Sequence, residues 1–126
     1  MRIEHIAICT ADLEKMKAFY QKYFDLKASE KYVNSKKQFS SYFMSFDSGA
    51  RIELMHRPDV SEILEKETIG LTHFAISVGS KAQVDSLTEK LRVDGYEIVG
   101  EPRTTGDGYY ESVIKDPEGN SIELTE

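Results

Sequence analysis

The run Asp116-Pro117-Glu118-Gly119-Asn120-Ser121-Ile122-Glu123-Leu124 reads as a tight reversal followed by a strand. Proline and glycine suit the reversal, and the alternation of Ile122 and Leu124 around Glu123 sends the glutamate to the opposite sheet face from the two apolar side chains. Seventy residues earlier the chain carries Ile52-Glu53-Leu54, preceded by a second turn signal, Asp47-Ser48-Gly49. The echo extends outward from both turns. Ser40 to Phe46 and Ala50 to His56 read as the strands flanking the first, and Tyr109 to Lys115 and Ser121 to Thr125 as those flanking the second.

Further upstream each half repeats a strand and a helix. Arg2 to Cys9 and Leu71 to Val78 have strand character. After the first, Thr10-Ala11-Asp12 supplies cap-type residues, and Leu13, Met16, Tyr20 and Tyr23, with Phe19 and Phe24 beside them, predict a helix over 12–24. After the second, Ser80 and Gln83 fit a capping box, and Val84, Leu87 and Leu91 mark a helix that Gly95 can end. Ala28 to Val33 and Glu97 to Val99 supply one more strand in each half. Both halves therefore read strand, helix, strand, strand, strand. The acidic segment 58–69, with only Val60, Ile63, Leu64 and Ile69 apolar, reads as a connector containing one helical turn.

A module of about 60 residues leaves one sheet face uncovered, so modules 1–57 and 70–126 are expected to pair and form a shared concave surface. The expectation is one α+β domain over 1–126, built from tandem βαβββ modules pairing into a curved mixed sheet. Composition agrees with a soluble domain: 40% of the residues are hydrophobic and 30% charged. Sixteen basic residues against twenty-two acidic ones give a net charge of −6, and no basic cluster extends beyond Lys36-Lys37, which disfavours nucleic acid as a partner. The single cysteine, Cys9, excludes an intrachain disulfide, and the first residues offer no apolar stretch for a signal peptide or membrane span. No membrane partner is expected, and the cytoplasm is the default location.

Four residues stand out because the repeat relates them. His5 and His73, 68 residues apart, lie in the first strand of each half, and Glu53 and Glu123, 70 apart, lie in the last. An isolated Ile-Glu-Leu is commonplace on a half-exposed strand; two such triplets and two histidines at equivalent places are not. If the repeats pair about a two-fold axis, the four side chains converge. Two carboxylates ~4 Å apart repel by ~4 kcal/mol at an effective dielectric near 20, and a divalent cation cancels that repulsion. Two imidazoles and two carboxylates suit Zn, Ni, Co, Mn or Fe(II), with room for water or substrate oxygens.

The remaining candidates lie nearby. His56, three residues from Glu53, belongs to the opposite face and reads as structural or surface. Cys9 lies ~13 Å along an extended strand from His5, too far to share its ion, and reads as a small apolar filler. Arg57 shares Glu53's face and can hold an anionic substrate group. Lys36-Lys37 reads as a solvated loop. Gly106-Asp107-Gly108, beside Arg103, Tyr109 and Tyr110, reads either as a mobile loop over the site, with Arg103 and Tyr110 touching substrate, or as a plain turn.

The order His5, Glu53, His73, Glu123 on two such modules resembles the vicinal oxygen chelate superfamily, and is most similar to glyoxalase I (lactoylglutathione lyase) and small glyoxalase-like proteins. The likeness runs from Ile3-Glu4-His5 through Leu71-Thr72-His73-Phe74 to the nine residues that end at Leu124. It implies the glyoxalase/bleomycin resistance/dihydroxybiphenyl dioxygenase fold, often as a homodimer. It also implies one divalent metal and a small substrate with two adjacent oxygens. In glyoxalase I that chelation acidifies a carbon-bound proton of a hemithioacetal, and a metal-site glutamate moves the proton through an enediolate. By position Glu123 matches that base and Glu53 is its pseudo-symmetric partner. Glyoxalase I also carries an arginine four residues after its first histidine and an asparagine four after its first metal glutamate, both binding glutathione. Cys9 and Arg57 stand there instead, so the metal site is matched and the glutathione site is not. A glyoxalase-type lyase or isomerase is the leading expectation. The alternatives are a fosfomycin-type thiol transferase, an extradiol dioxygenase, or a non-enzymatic drug binder, which would lack the metal ligands kept here.

Overall fold

Asp12 and Ser80 start the two helices, and both do so by the same physical device. In the computed structural model, which describes residues 1–63 and 69–126, the Asp12 carboxylate accepts from the Lys15 amide at 2.9 Å and the Ser80 hydroxyl from the Gln83 amide at 3.3 Å. Each satisfies a donor that the first helical turn leaves unpaired. Helix α1 (Leu13–Phe24) stops at Asp25, which takes a left-handed conformation. Helix α2 (Lys81–Val93) stops before Gly95 at φ +88°, where the Gly95 and Tyr96 amides bond back to the Arg92 and Leu91 carbonyls. That pattern places a glycine where an L side chain would be strained.

The chain divides into two compact units, Met1–Glu62 and Ile63–Glu126. In the first, β1 (His5–Cys9) pairs in parallel with β5 (Arg51–His56), which pairs antiparallel with β4 (Phe39–Ser45); β2 (Lys27–Ala28) and β3 (Tyr32–Asn34) both pair with β4. In the second, β6 (Phe74–Ser77) pairs in parallel with β9 (Ser121–Thr125), followed outward by β8 (Tyr110–Lys115) and β7 (Ile98–Thr104). Each is a mixed sheet with one helix packed on it, and the class is α+β.

The cores follow the alternation read from the sequence. Ile8, Met44, Ile52 and Leu54 meet Met16, Phe19 and Tyr20 of α1 on one side of the first sheet. Ile76, Ile114, Ile122 and Leu124 do the same with Val84 and Leu91 of α2 in the second. Each such side chain, fully buried, stabilises by about 1.5–3 kcal/mol.

Several boundaries depart from expectation. The single strand expected over 28–33 is two short ones, because the Ser29 hydroxyl accepts the Phe43 amide at 3.0 Å where a strand would offer a carbonyl. Strand β7 runs five residues past Val99, through Gly100 and Pro102. It is an edge strand with register shifts, and an edge tolerates both a proline and a bulge. Strand β6 is shorter than expected, so His73 immediately precedes it. Cys9 is exposed and does not fill the core. Residues Gly106-Asp107-Gly108 form a hydrogen-bonded turn, with the Thr105 amide on the Tyr109 carbonyl and the Gly108 amide on that of Thr105. The helical turn expected in the connector falls largely on 64–68, outside the described residues.

Candidate metal and substrate site

Registers place the histidines and glutamates. In the first unit Ala7 lies opposite Glu53, and His5, two residues before Ala7, shares its face. In the second, Ala75 lies opposite Glu123, and His73 again stands two residues before. Both faces are the ones turned away from the helix. His5 Nε2 lies 3.9 Å from Glu53 Oε2, and His73 Nε2 lies 3.4 Å from Glu123 Oε2. The two glutamate side chains are equally sheltered, each 17% exposed. Each unit thus supplies one imidazole nitrogen and one carboxylate oxygen, a donor pair suited to a borderline divalent metal. Neither unit gathers three such ligands among the described residues.

The surroundings of the two pairs differ. Beside His5, Glu4 Oε2 lies 2.5 Å from Nδ1, and the other Glu4 oxygen accepts from the Arg51 guanidinium. The hydrogen bond from His5, then that from Arg51, lowers the Glu4 carboxyl below its ordinary range against a desolvation penalty. Arg51 lies 4.1 Å over the Phe43 ring, and His5 meets the same ring edge-on at 5.3 Å. Beside Glu123 stand Glu111 and Arg103, the latter donating to Glu111 at 3.1 Å. Its guanidinium passes over Gly100, where a Cβ would come within 3.0 Å of it. Burial, then the Glu111 carboxylate, raises the Glu123 carboxyl, while His73 and Arg103 pull it down.

Hairpin β8–β9 sets the position of Glu123 through a side chain that sequence reading passed over. Asp116, 4% exposed, accepts from the Glu118 and Asn120 amides at 3.0 and 2.9 Å and from the Asn120 side chain at 2.8 Å. Proline and glycine permit this reversal, and the buried carboxylate closes it.

Of the other candidates, Arg57 is engaged by Asp59 through two hydrogen bonds, of 3.0 and 2.5 Å. It borders a cleft of about 610 Å³ in the first unit, lined also by Tyr32, Lys37, Phe39 and Met55. Lys37 therefore contributes to a concave surface and is not merely a solvated loop residue. Met55 has the parity of Glu53, so the cleft continues the same sheet face. Tyr110 points elsewhere: its hydroxyl donates to Asp85 of α2 at 2.7 Å, on the helix side of the sheet, away from Glu123. His56 bonds the Thr10 carbonyl through Nδ1 at 2.9 Å, a structural contact on the face opposite Glu53.

Fold, the repeated histidine–glutamate pair and sequence converge on one family. The chain matches the Glyoxalase/Bleomycin resistance protein/Dioxygenase superfamily over residues 2–124, and it belongs to that superfamily. Among particular proteins, it is 30% identical to lactoylglutathione lyase GLX1 of Arabidopsis thaliana over 98% of its own length and 43% of the relative's. The chain spans less than half the length of the first curated relatives it matches. Among solved structures, glyoxalase I from Zea mays superposes with a TM-score of 0.77 at 25% identity, covering 98% of this chain and 44% of that one. A glyoxalase/bleomycin resistance protein/dioxygenase domain from a Frankia species gives 0.85 at 18% identity, over 99% and 96% of the two chains, and speaks for the fold alone. No helix among the described residues is long and apolar enough to cross a membrane.

Proposed function

We propose that this protein is a metal-dependent lyase or isomerase of the glyoxalase type, acting on a small molecule with two adjacent oxygens. The observation that carries the reading is the repeated pair, His5 with Glu53 and His73 with Glu123, on the same sheet face of each unit. The modules, in this reading, pair as one domain or exchange between two copies in a homodimer, so that the four side chains hold one divalent ion. Bound there, a divalent ion would supply Lewis-acid polarisation of the substrate oxygens, which would acidify the neighbouring carbon-bound proton. Glu123 moves that proton: a carboxylate made more basic by burial and by Glu111 is suited to accept it. Glu53 is its pseudo-symmetric partner. Arg103 and Arg57 orient anionic parts of the substrate, Arg57 at the cleft beside Met55.

Metal analysis of protein purified without chelators tests this first. One divalent ion per chain is expected, with marked loss in Glu53→Gln and Glu123→Gln and none in His56→Ala. Undiminished metal in both glutamate variants would sink the site. Assay of methylglyoxal with several thiols then tests the reaction. Arg57→Ala should weaken substrate binding by about ten- to a hundredfold, the loss of a charged hydrogen bond, while the metal stays bound.

A further inference from the structure

We propose that Glu4, itself held by Arg51, is a positioning residue that fixes the His5 ring so that Nε2 is the nitrogen presented beside Glu53. The inference rests on the metal reading above for its purpose, and on the first unit alone for its geometry. An ionised carboxylate can only accept, so at 2.5 Å from Glu4 the His5 Nδ1 must carry the ring proton. In the neutral ring the lone pair is then on Nε2, which faces Glu53 Oε2. Glu4 precedes β1, so strand alternation does not bind its side chain and it can fold back onto its neighbour.

Arg51 clamps Glu4 twice. Its backbone amide donates to the Glu4 carbonyl at 2.9 Å, and its guanidinium donates to the free carboxylate oxygen. Phe43 touches both members of the arrangement, with its face under Arg51 and its ring at right angles to that of His5. A histidine that ligates a metal commonly donates its second ring N–H to a carboxylate, which sets the tautomer and makes the ligating nitrogen a stronger donor. The second unit has no copy of this device: the repeat places Thr72, Ser121 and Val113 where Glu4, Arg51 and Phe43 stand.

Two measurements on the full chain test the proposal. Nitrogen-15 NMR of the metal-free protein should show His5 protonated on Nδ1, and in Glu4→Ala that preference should be lost. Competition for Zn²⁺ against a chromogenic chelator should show Glu4→Ala binding about 10- to 100-fold more weakly. Glu4→Gln, whose amide oxygen still accepts, should lose less, and Thr72→Ala nothing. Should Glu4→Ala fail to fold, Glu4→Gln and Arg51→Met, which keeps an apolar stem over Phe43, give the same readouts. Unchanged Zn²⁺ affinity or an unchanged His5 tautomer in Glu4→Ala, or in Arg51→Met where Glu4→Ala does not fold, overturns the role of Glu4. A wild-type protein that binds no Zn²⁺ overturns the metal reading instead, and the tautomer still decides whether Glu4 orients the ring.

Discussion

Between helix and sheet the first unit buries Tyr20 and Tyr42, and at the equivalent places of the repeat the second buries Thr88 and Ser112. Tyr42 fills volume with its ring and carries its hydroxyl to the edge of the core, where it donates to Glu14 at 2.9 Å among Lys17 and Lys31. Inside the core the Thr88 hydroxyl donates to the Val84 carbonyl, which leaves Ser112 to donate to Thr88 at 2.7 Å. One backbone plan thus accommodates a large side chain anchored to a surface network or a small pair closed on itself. Polar satisfaction, and not size, is common to both. The two histidine–glutamate pairs divide similarly: carboxylate and guanidinium support the histidine in the first unit, and they surround the glutamate in the second.

The strongest way to break the comparison is to empty each core. Met44→Ala and Leu124→Ala remove fully buried side chains, and each should cost about 2–5 kcal/mol. Denaturant unfolding should show both shifting one shared transition if the units pair as proposed; two transitions, each sensitive to one variant, would mean that they stand alone. Next, Thr88→Ala should cost about 1–3 kcal/mol by stranding the Ser112 hydroxyl, and the double change Thr88→Val with Ser112→Ala should recover much of it. A double variant as unstable as the single one would show that packing, and not the hydroxyl pair, matters there.

The carboxylates sharpen the contrast further. With its pKa raised in the fold, Glu123 contributes stability at pH below the ordinary carboxyl value, and that contribution is lost as pH rises through the folded value. Metal-free Glu123→Gln should therefore be more stable than the wild type at pH 7, with the gap closing toward pH ~4.5. Glu111→Gln should bring the Glu123 titration down, and Arg103→Met should move it up, as read by carbon-13 NMR of the carboxyl. Glu14 behaves oppositely. Hydrogen bonds from Lys17, Lys31 and Tyr42 lower it to about 2. Its contribution is present above the unfolded value and disappears as pH falls through about 2. Because Glu14 is half exposed, solvent screening keeps that contribution under ~1 kcal/mol. Acid unfolding of Glu14→Gln against wild type should show the difference vanish over that interval.

The repeat and both helices are legible in local periodicity and capping, and the repeat in turn singles out His5, Glu53, His73 and Glu123, which the structure brings together two by two within each unit. What was missed depends on contacts between distant parts of the chain. Nothing near Ser29 announces that its hydroxyl will replace a strand carbonyl, and breakers at Gly100 and Pro102 concealed an edge strand that tolerates them. The cleft joins the β3–β4 hairpin to the end of β5, which only pairing reveals. Tyr110 is different, because its parity with the core residues Ser112 and Ile114 was available and places it on the helix side. Glu4 escapes the sequence reading because the strand expected over 2–9 begins only at His5, which frees the Glu4 side chain from strand alternation.

The Asp116 turn carries a consequence for tolerance to insertions. A β-strand has no memory of which face is which except through its register, and here a five-residue loop tied to one buried carboxylate keeps that register. One added residue would turn Ile122 and Leu124 to the face that Glu123 occupies and drive Glu123 toward α2, if β9 slipped rather than bulged. A length change of a single residue in a surface turn would then act as a mutation of the chemistry, while every side chain of the site remained in the sequence.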